Sequence, residues 1–310
     1  MKDRIVIATR QSELALWQAN FIADRLRELH PGLEVKLLGM STRGDRWLSS
    51  PLSEVGGKGL FVKELEEAIA DGRADIAVHS MKDVPAVLPD PFTLAAIGYR
   101  DDVRDALVGP GVRSLDDLAH GARVGSSSLR RQAMLRARRS DLDVRPVRGN
   151  VGTRLRKLDE GEYDVLVLAA AGLKRLGLEG RIGMLMPLDV SLPAAGQGAL
   201  GIECRRDDEA LCALLATLTD HQVQRCVSAE RAVSSGLGAD CSAPLGAHAV
   251  IEADRIHLRA VLGTPDGSRL LLAQARGTDP LATGAEVVRQ LEAQGASALL
   301  AGVNAARPGR

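Results

Sequence analysis

The chain opens with a short apolar run, Ile5 to Ala8, followed by the polar turn Thr9-Arg10-Gln11-Ser12. Leu14, Trp17, Phe21, Ile22, Leu26 and Leu29 then recur at three- and four-residue spacing. The first pattern predicts a β-strand and the second an amphipathic helix. The alternation returns with strands over Val35–Met40 and Asp75–His79 and a helix over Lys63–Ala70 that ends near Asp71-Gly72. Between Ser49 and Gly59, SSPLSEVGGKG has no period, and its serines and glycines predict a mobile loop.

A second α/β unit is expected from about Asp101. Arg123–Gly125 runs into a serine triplet and the helical LRRQAMLRARR; Val144–Val147 runs into RGNVGTR and LRKLDEG; Asp164–Ala171 is a nearly continuous apolar strand. Strands alternating with helices imply a largely parallel, doubly wound sheet, whose ligands sit beyond the carboxyl ends of its strands. Helices over Asp208–Thr219 and around Val223–Leu237 come next. Short strands over Ala247–Ile251, Ile256–Leu262 and Arg269–Ala275 then precede a last helix over Ala285–Leu300, predicting a small α+β domain. Thr264-Pro265-Asp266-Gly267 is a strong turn signal between the last two strands.

Length and composition narrow the class. A chain of 310 residues exceeds one comfortable core, so two or three compact units are expected. Aromatic residues make up only 2%, which leaves little for recognition by stacking. The longest apolar run, Val165–Leu173, is far short of the roughly 18 residues of a membrane span. Four consecutive apolar residues near the start are too few for a signal-peptide core, so a cytoplasmic location is expected. Cys204, Cys212, Cys226 and Cys241 show no CxxC spacing and the six histidines no ligand spacing, so neither a disulfide framework nor a metal site is predicted.

Forty basic residues balance forty acidic ones, and global charge predicts no nucleic-acid or membrane partner. The distribution is uneven. Arg123 to Arg156 contains ten arginines, two aspartates and no other charged residue, a local formal charge of +8. Arg10 and Ser12, the serines Ser126, Ser127 and Ser128 with Arg130 and Arg131, and Arg148 and Arg154 all fall where a strand gives way to a helix. Backbone N–H groups and guanidinium forks can converge there on one anion. A solvated helix face is the competing reading, and it suits Arg136, Arg138 and Arg139 better. Lys82 and Asp83 leave a strand at the edge where an α/β site forms; the alternative is a surface ion pair of little value. His79 reads as a satisfied strand residue. Cys241 lies in the turn-forming GLGADCSAP, where a thiol can meet a ligand, whereas the other cysteines read as core.

Two familiar patterns are set aside. Gly196 to Gly201 fits GxGxxG but is followed by a strand, and Gly56-Gly57-Lys58-Gly59 lacks the Ser or Thr and the spacing of a phosphate loop.

ATRQS at 8–12, GGKGLFVKELE at 56–66, ADIAVHSMKDVP at 74–85, GSSSLRRQ at 125–132, RGNVGTRL at 148–155, LPAAGQGALGIECR at 192–205 and the Cys241 loop together resemble the porphobilinogen deaminases, or hydroxymethylbilane synthases. The resemblance spans nearly the whole chain in order. It implies an α/β fold of two doubly wound domains like those of periplasmic binding proteins, residues 1–99 with 197–219 and residues 100–196. A small C-terminal α+β domain, 220–310, would carry the cysteine. It also implies a transferase of tetrapyrrole and heme biosynthesis. Four porphobilinogen molecules would be condensed head to tail on a covalent dipyrromethane primer, with loss of ammonia and hydrolysis to hydroxymethylbilane.

By the same resemblance, Cys241 anchors the dipyrromethane through a thioether, and Lys82, Ser126, Ser127, Ser128, Arg130 and Arg131 hold its carboxylates. Arg10, Ser12, Arg148 and Arg154 hold incoming substrate or the lengthening chain. Asp83 stabilises the positive charge that develops on the reacting pyrroles, and Lys58 closes over the site as a lid. The family commonly has glycines before its anchoring cysteine, whereas Ala239-Asp240 stands here. No apolar stripe calls for a partner subunit, so a monomer is expected. From the residues alone, a receptor for a small polycarboxylate would use the same arginines without chemistry. A nucleic-acid binder is opposed by the lack of aromatic residues in the arginine-rich segment.

Overall fold

The computed structural model describes residues 2–42, 62–240 and 242–305. The chain runs through β1 (Arg4–Arg10), α1 (Glu13–Leu29), β2 (Glu34–Met40), α2 (Lys63–Ala70), β3 (Ile76–Ser80), a 3-10 turn at Met81–Asp83 and β4 (Phe92–Gly98). It continues through β5 (Asp105–Val108), β6 (Arg123–Gly125), α3 (Leu129–Arg138), β7 (Asp143–Arg145), α4 (Val151–Asp159), β8 (Val165–Ala169), α5 (Ala170–Arg175) and β9 (Met184–Leu185). Then come β10 (Leu200–Arg205), α6 (Glu209–Ala216), α7 (His221–Gly236), β11 (Leu245–Glu252), β12 (Arg255–Gly263), β13 (Leu270–Gly277), α8 (Pro280–Ala293) and α9 (Ala296–Ala305).

Polar residues start the helices that matter for the site. Ser12 caps α1 by accepting from the Ala15 N–H, Ser128 caps α3 through the Arg131 N–H, and Asn150 caps α4 through the Thr153 N–H. Behind each cap an apolar stripe turns inward. Ile22 and Leu26 of α1 pack on Ile5, Ile7 and Ile76, and Leu135 of α3 packs on Val124 and Val144.

The first sheet has the order β2-β1-β3-β10-β4 and the second β7-β6-β8-β5-β9. β1 is parallel to β2 and β3, and β6 is parallel to β7 and β8. The remaining pairs are antiparallel: β10 beside β3 and β4, and β5 beside β8 and β9. Hydrophobic patterning marks these as buried strands but does not encode their direction. The antiparallel members are those by which the chain enters or leaves each sheet.

The third sheet is the antiparallel meander β11-β12-β13, covered by α7 and α8. Its last helical segment is two helices, not one. Gly295 breaks it with φ +95°, a left-handed conformation that glycine adopts without steric cost. The apolar run at Asp164–Ala171 also divides, since Ala170 already begins α5.

Two crossings join the first two sheets, and both are anchored to buried Glu230 of α7. Its carboxylate accepts from Arg100 Nη1 and Nη2 at 2.8 and 3.0 Å, from the Gly196 N–H at 2.7 Å and from the Ala249 N–H at 2.8 Å. Burial alone would raise its pKa, but Arg100 and His248 hold it below the ordinary value. Arg175 adds a second tie. Its guanidinium lies 5.6 Å from the Trp17 ring and 5.5 Å from Tyr99, and Nη2 donates to the Gly198 carbonyl.

Under the first sheet, His79 is indeed a satisfied strand residue. Its Nε2 lies 2.7 Å from Glu203 Oε2, and both side chains are buried. Glu66 of α2 sits against this pair; burial, then the Glu203 carboxylate, push it up to about 7, with His79 opposing. The ordinary glutamate value is 4.5, so the folded state binds more protons between the two. That contribution is full below the lower value and is lost as pH rises through the higher one. Glu66→Gln, which cannot ionise, should therefore gain stability relative to the parent between about pH 5 and about pH 8. Parallel thermal melts check this, and a Tm difference that stays constant across the range contradicts it.

Candidate active site

β3 buries Ile76, Ala77, Val78 and His79, then releases the chain into Met81-Lys82-Asp83 at its carboxyl end. The turn is seated on its upstream side: the Met81 N–H donates to the Ala199 carbonyl at 3.0 Å. A Cβ on Gly196 would lie 2.7 Å from the Met81 Cβ, and one on Gly201 would strike the Met81 sulfur. Gly196 and Gly201 thus serve close packing against this turn, whereas a Cβ on Gly198 would strike the Asp101 carbonyl oxygen.

Asp83 is exposed, and no donor reaches its carboxylate among the described residues. Lys82 is half-buried. Burial pushes its ammonium down to about 8, with Asp83 opposing and Arg131 and Arg130 adding to the fall. The pair is therefore part of a cationic cleft rather than a solvated surface bridge.

Arg130 and Arg131 project from the first turn of α3 and are buried. They converge on Asp105, which opens β5. Arg130 Nη1 donates to Oδ2 at 2.8 Å, and Arg131 donates to Oδ1 through Nε at 3.0 Å and Nη2 at 2.7 Å. Ser191 Oγ and Gln197 Nε2 complete the shell at 2.7 and 2.9 Å. Burial would raise the Asp105 pKa, yet the two guanidinium groups hold it well below the carboxylate range. Carbonyls of Leu192 and Val167 take further donors of the two arginines. Arg130 Nε stays buried without a partner among the described residues.

Arg154 donates from Nε to the Gly149 carbonyl at 2.8 Å. Burial, with Arg131 and Arg148 crowding it, pushes its pKa down to about 10, while Asp83 pulls the other way. Arg148 is half-buried, is lowered by burial, and has no acceptor among the described residues. Lys82, Asp83, Arg130, Arg131, Arg148 and Arg154 thus form one electrostatic neighbourhood. Arg10 ends β1 at the same sheet edge, and Ser12 is the α1 cap beside it.

The serine triplet is engaged locally. Ser126 is buried and accepts from the Ser128 N–H at 3.4 Å. Ser127 Oγ donates to the Val147 carbonyl at 2.7 Å and accepts from its N–H at 3.0 Å, fixing the residue before Arg148. Arg136, read as a solvated side chain, instead reaches the Pro265 carbonyl at 2.9 Å and the Val144 carbonyl at 3.0 Å. Cys241 and Lys58 lie outside the described residues. Next to the former, Asp240 Oδ1 accepts from the Ser242 N–H at 2.9 Å. A narrow crevice with an internal volume of about 50 Å³ runs from Met81, Lys82 and Val84 to Ala239, Asp240 and Ala243. No cluster suited to a metal ion occurs among the described residues.

Sequence reasoning missed Asp105, Glu230 and Gln197. One signal was available: Asp105 opens the apolar run DALV just before a strongly basic unit, where an ionised carboxylate needs a partner.

The model of the family described as "Porphobilinogen deaminase, dipyromethane cofactor binding domain" matches residues 5–213, and that of its C-terminal domain matches residues 224–293. The porphobilinogen deaminase of Thiobacillus denitrificans is 57% identical over 298 residues, covering 96% of this chain and 97% of its own. That of Burkholderia pseudomallei is 57% identical over 301 residues, covering 96% and 92%. Among solved structures, the periplasmic aliphatic sulphonate binding protein SsuA from Escherichia coli is similar at TM-score 0.42 and 13% identity, covering 76% of this chain and 70% of its own. A periplasmic substrate-binding protein of an ABC transporter from Coxiella burnetii is similar at TM-score 0.43 and 13% identity, covering 69% and 91%. The chain belongs to the porphobilinogen deaminase family.

Proposed function

We propose that this cleft condenses four porphobilinogen molecules head to tail on a covalent dipyrromethane, releasing ammonia and finally hydroxymethylbilane, with Asp83 as its catalytic residue. One observation carries the assignment: Asp83 is an exposed carboxylate with no donor among the described residues, interacting with Lys82 and Arg154, beside which Arg131 and Arg148 stand. Each pyrrole unit brings an acetate and a propionate, so a ligand that grows by such units grows in negative charge. Five cations stand here against the carboxylates of Asp83 and Asp105.

The residues fit the dipyrromethane. Among the described residues, Arg130 Nε is buried without a partner and Lys82 is desolvated without an ion pair; both are relieved by an added carboxylate. When bound, the dipyrromethane supplies a free pyrrole α-carbon as nucleophile. Cys241 would anchor it by a thioether, with Lys82, Arg130 and Arg131 on its carboxylates. Ser126, Ser127 and Ser128 would support it chiefly by holding the loop and the α3 start. Arg148 and Arg154, with Arg10 and Ser12 at the neighbouring strand end, would hold the incoming substrate. Lys58 would close over the site.

Loss of ammonia leaves positive charge on the substrate pyrrole, and the Asp83 carboxylate stabilises it and accepts a hydrogen bond from the ring N–H. Excluding water strengthens that interaction, because a charge pair about 4 Å apart gains roughly fourfold as the effective dielectric falls from 80 to 20. We assign residues 1–99 with 197–219 and residues 100–196 to the two cleft-forming domains, and 220–310 to the third. Sheet membership supports this, since β10 returns to the sheet of β1 to β4. We assign the chain as a cytoplasmic monomer acting on a small molecule; its balanced charge argues against a nucleic-acid or membrane partner.

Mass spectrometry of the intact chain should find an added mass of two linked pyrrole units that disappears in Cys241→Ala; an unmodified, fully active parent overturns the covalent scheme. Asp83→Asn should fold and keep that added mass while kcat falls at least about 10²-fold, the scale for losing one preorganised electrostatic group. Normal turnover would remove Asp83 from its role. A charge-assisted hydrogen bond is worth about 1.5–3 kcal/mol, so Arg148→Leu should raise KM roughly 10- to 100-fold. An unchanged KM in steady-state assays would take Arg148 out of substrate binding.

A further inference from the structure

We infer that Arg231 is a positioning residue that fixes the Lys82-Asp83 turn to helix α7; the inference rests on the assignment of Asp83 above. Arg231 Nη1 donates to the Val84 carbonyl at 3.2 Å, and Nη2 donates to the Pro85 and Ala86 carbonyls at 2.7 and 3.1 Å. One guanidinium therefore gathers the three consecutive carbonyls that follow Asp83. No carboxylate pairs with it among the described residues, and burial alone lowers its pKa. A partly desolvated cation without an anion is costly unless dipoles compensate, so the carbonyl fork is the reason this arginine is stable there.

The turn needs such a tie. Upstream it is held by β3 and by the Met81 N–H bond to Ala199. Downstream, Pro85 has no N–H to give, and Asp83 receives no hydrogen bond to its side chain from the described residues. The Val84 N–H returns only to the Met81 carbonyl at 3.2 Å, inside the turn itself. Arg231 supplies the missing restraint from outside, one residue after Glu230, which holds both crossings. Adjacent residues on α7 thus register the crossings and the Asp83 turn to one rigid helix. Small displacements of a reacting group are costly, about 10²-fold in rate for about 1 Å.

The test uses the cofactor-bearing enzyme with Arg231→Met and Arg231→Lys. In Arg231→Met, kcat should fall about 10- to 100-fold with KM within about threefold and the added mass intact. Amide exchange should accelerate in segment 82–87 and stay unchanged in α7. Arg231→Lys keeps the charge but not the fork, so it should recover only part of both effects; it also carries the test should the methionine variant melt below assay temperature. Unchanged exchange in 82–87, a risen KM with kcat preserved, full recovery by lysine, or faster exchange without loss of kcat would each overturn the inference. Failure of the Asp83 assignment shows separately, as normal turnover in Asp83→Asn.

Discussion

Guanidinium groups brought side by side out of water repel each other, and Asp105 is what lets Arg130 and Arg131 occupy the same buried space. Its two oxygens take three guanidinium hydrogen bonds, one hydroxyl and one amide, so the carboxylate is fully used and stays ionised despite burial. Such a cluster gains little net stability over an apolar core, and its worth lies in orientation. Asp105 neutralises part of the arginine charge, fixes both guanidinium planes and leaves Arg130 Nε unmatched. The cleft can then bind anions strongly without collapsing onto internal acids.

Three carboxylates divide the work by environment. Asp105 and Glu230 are buried and saturated, and each ties elements distant in sequence. Asp83 is exposed and unsaturated, beside cations that already tolerate desolvation. Only a carboxylate with free lone pairs can respond to charge that appears during a reaction. The saturated ones are better suited to holding the frame around Asp83, the residue proposed to act on the substrate.

How much of this was legible in the sequence follows from range. β1, α1, α2 and the meander were readable because apolar period and turn signals are local: Ile5 and Ile7 alternate inward, and Ser12 stands where α1 begins. The direction of β5 and β10 was not, because a buried strand has the same apolar run either way. The split at Gly295 was available in principle, but one glycine in an apolar period is a weak stop signal. For the site, strand-to-helix junctions located the arginines, whereas their roles came from family resemblance. Asp105, Glu230 and Arg231 could not be found locally, since their hydrogen-bond partners lie at separations of 19 to 147 residues. Ser127 shows the same limit: its position was anticipated, but its partner is the backbone of Val147.

The crossings also constrain how the cleft can adapt as its contents grow. Loops between domains are ordinarily the compliant parts of a chain. Here the Arg100 fork is buried on Glu230, the Asp101 N–H donates to the Gly198 carbonyl, and Gln197 Nε2 reaches both the Val103 carbonyl and Asp105. Arg175 lies against both Trp17 and Tyr99 and also holds Gly198. Opening at this hinge would uncover charged groups that are paired only while it is closed, and leaving a buried charge unpaired costs about 3–5 kcal/mol. Side chains at the cleft surface face no such penalty: among the described residues, Arg148 has no acceptor to abandon and Asp83 has no donor. Adaptation at the cleft wall and movement of the bound chain through it therefore cost less than swinging the two sheets apart.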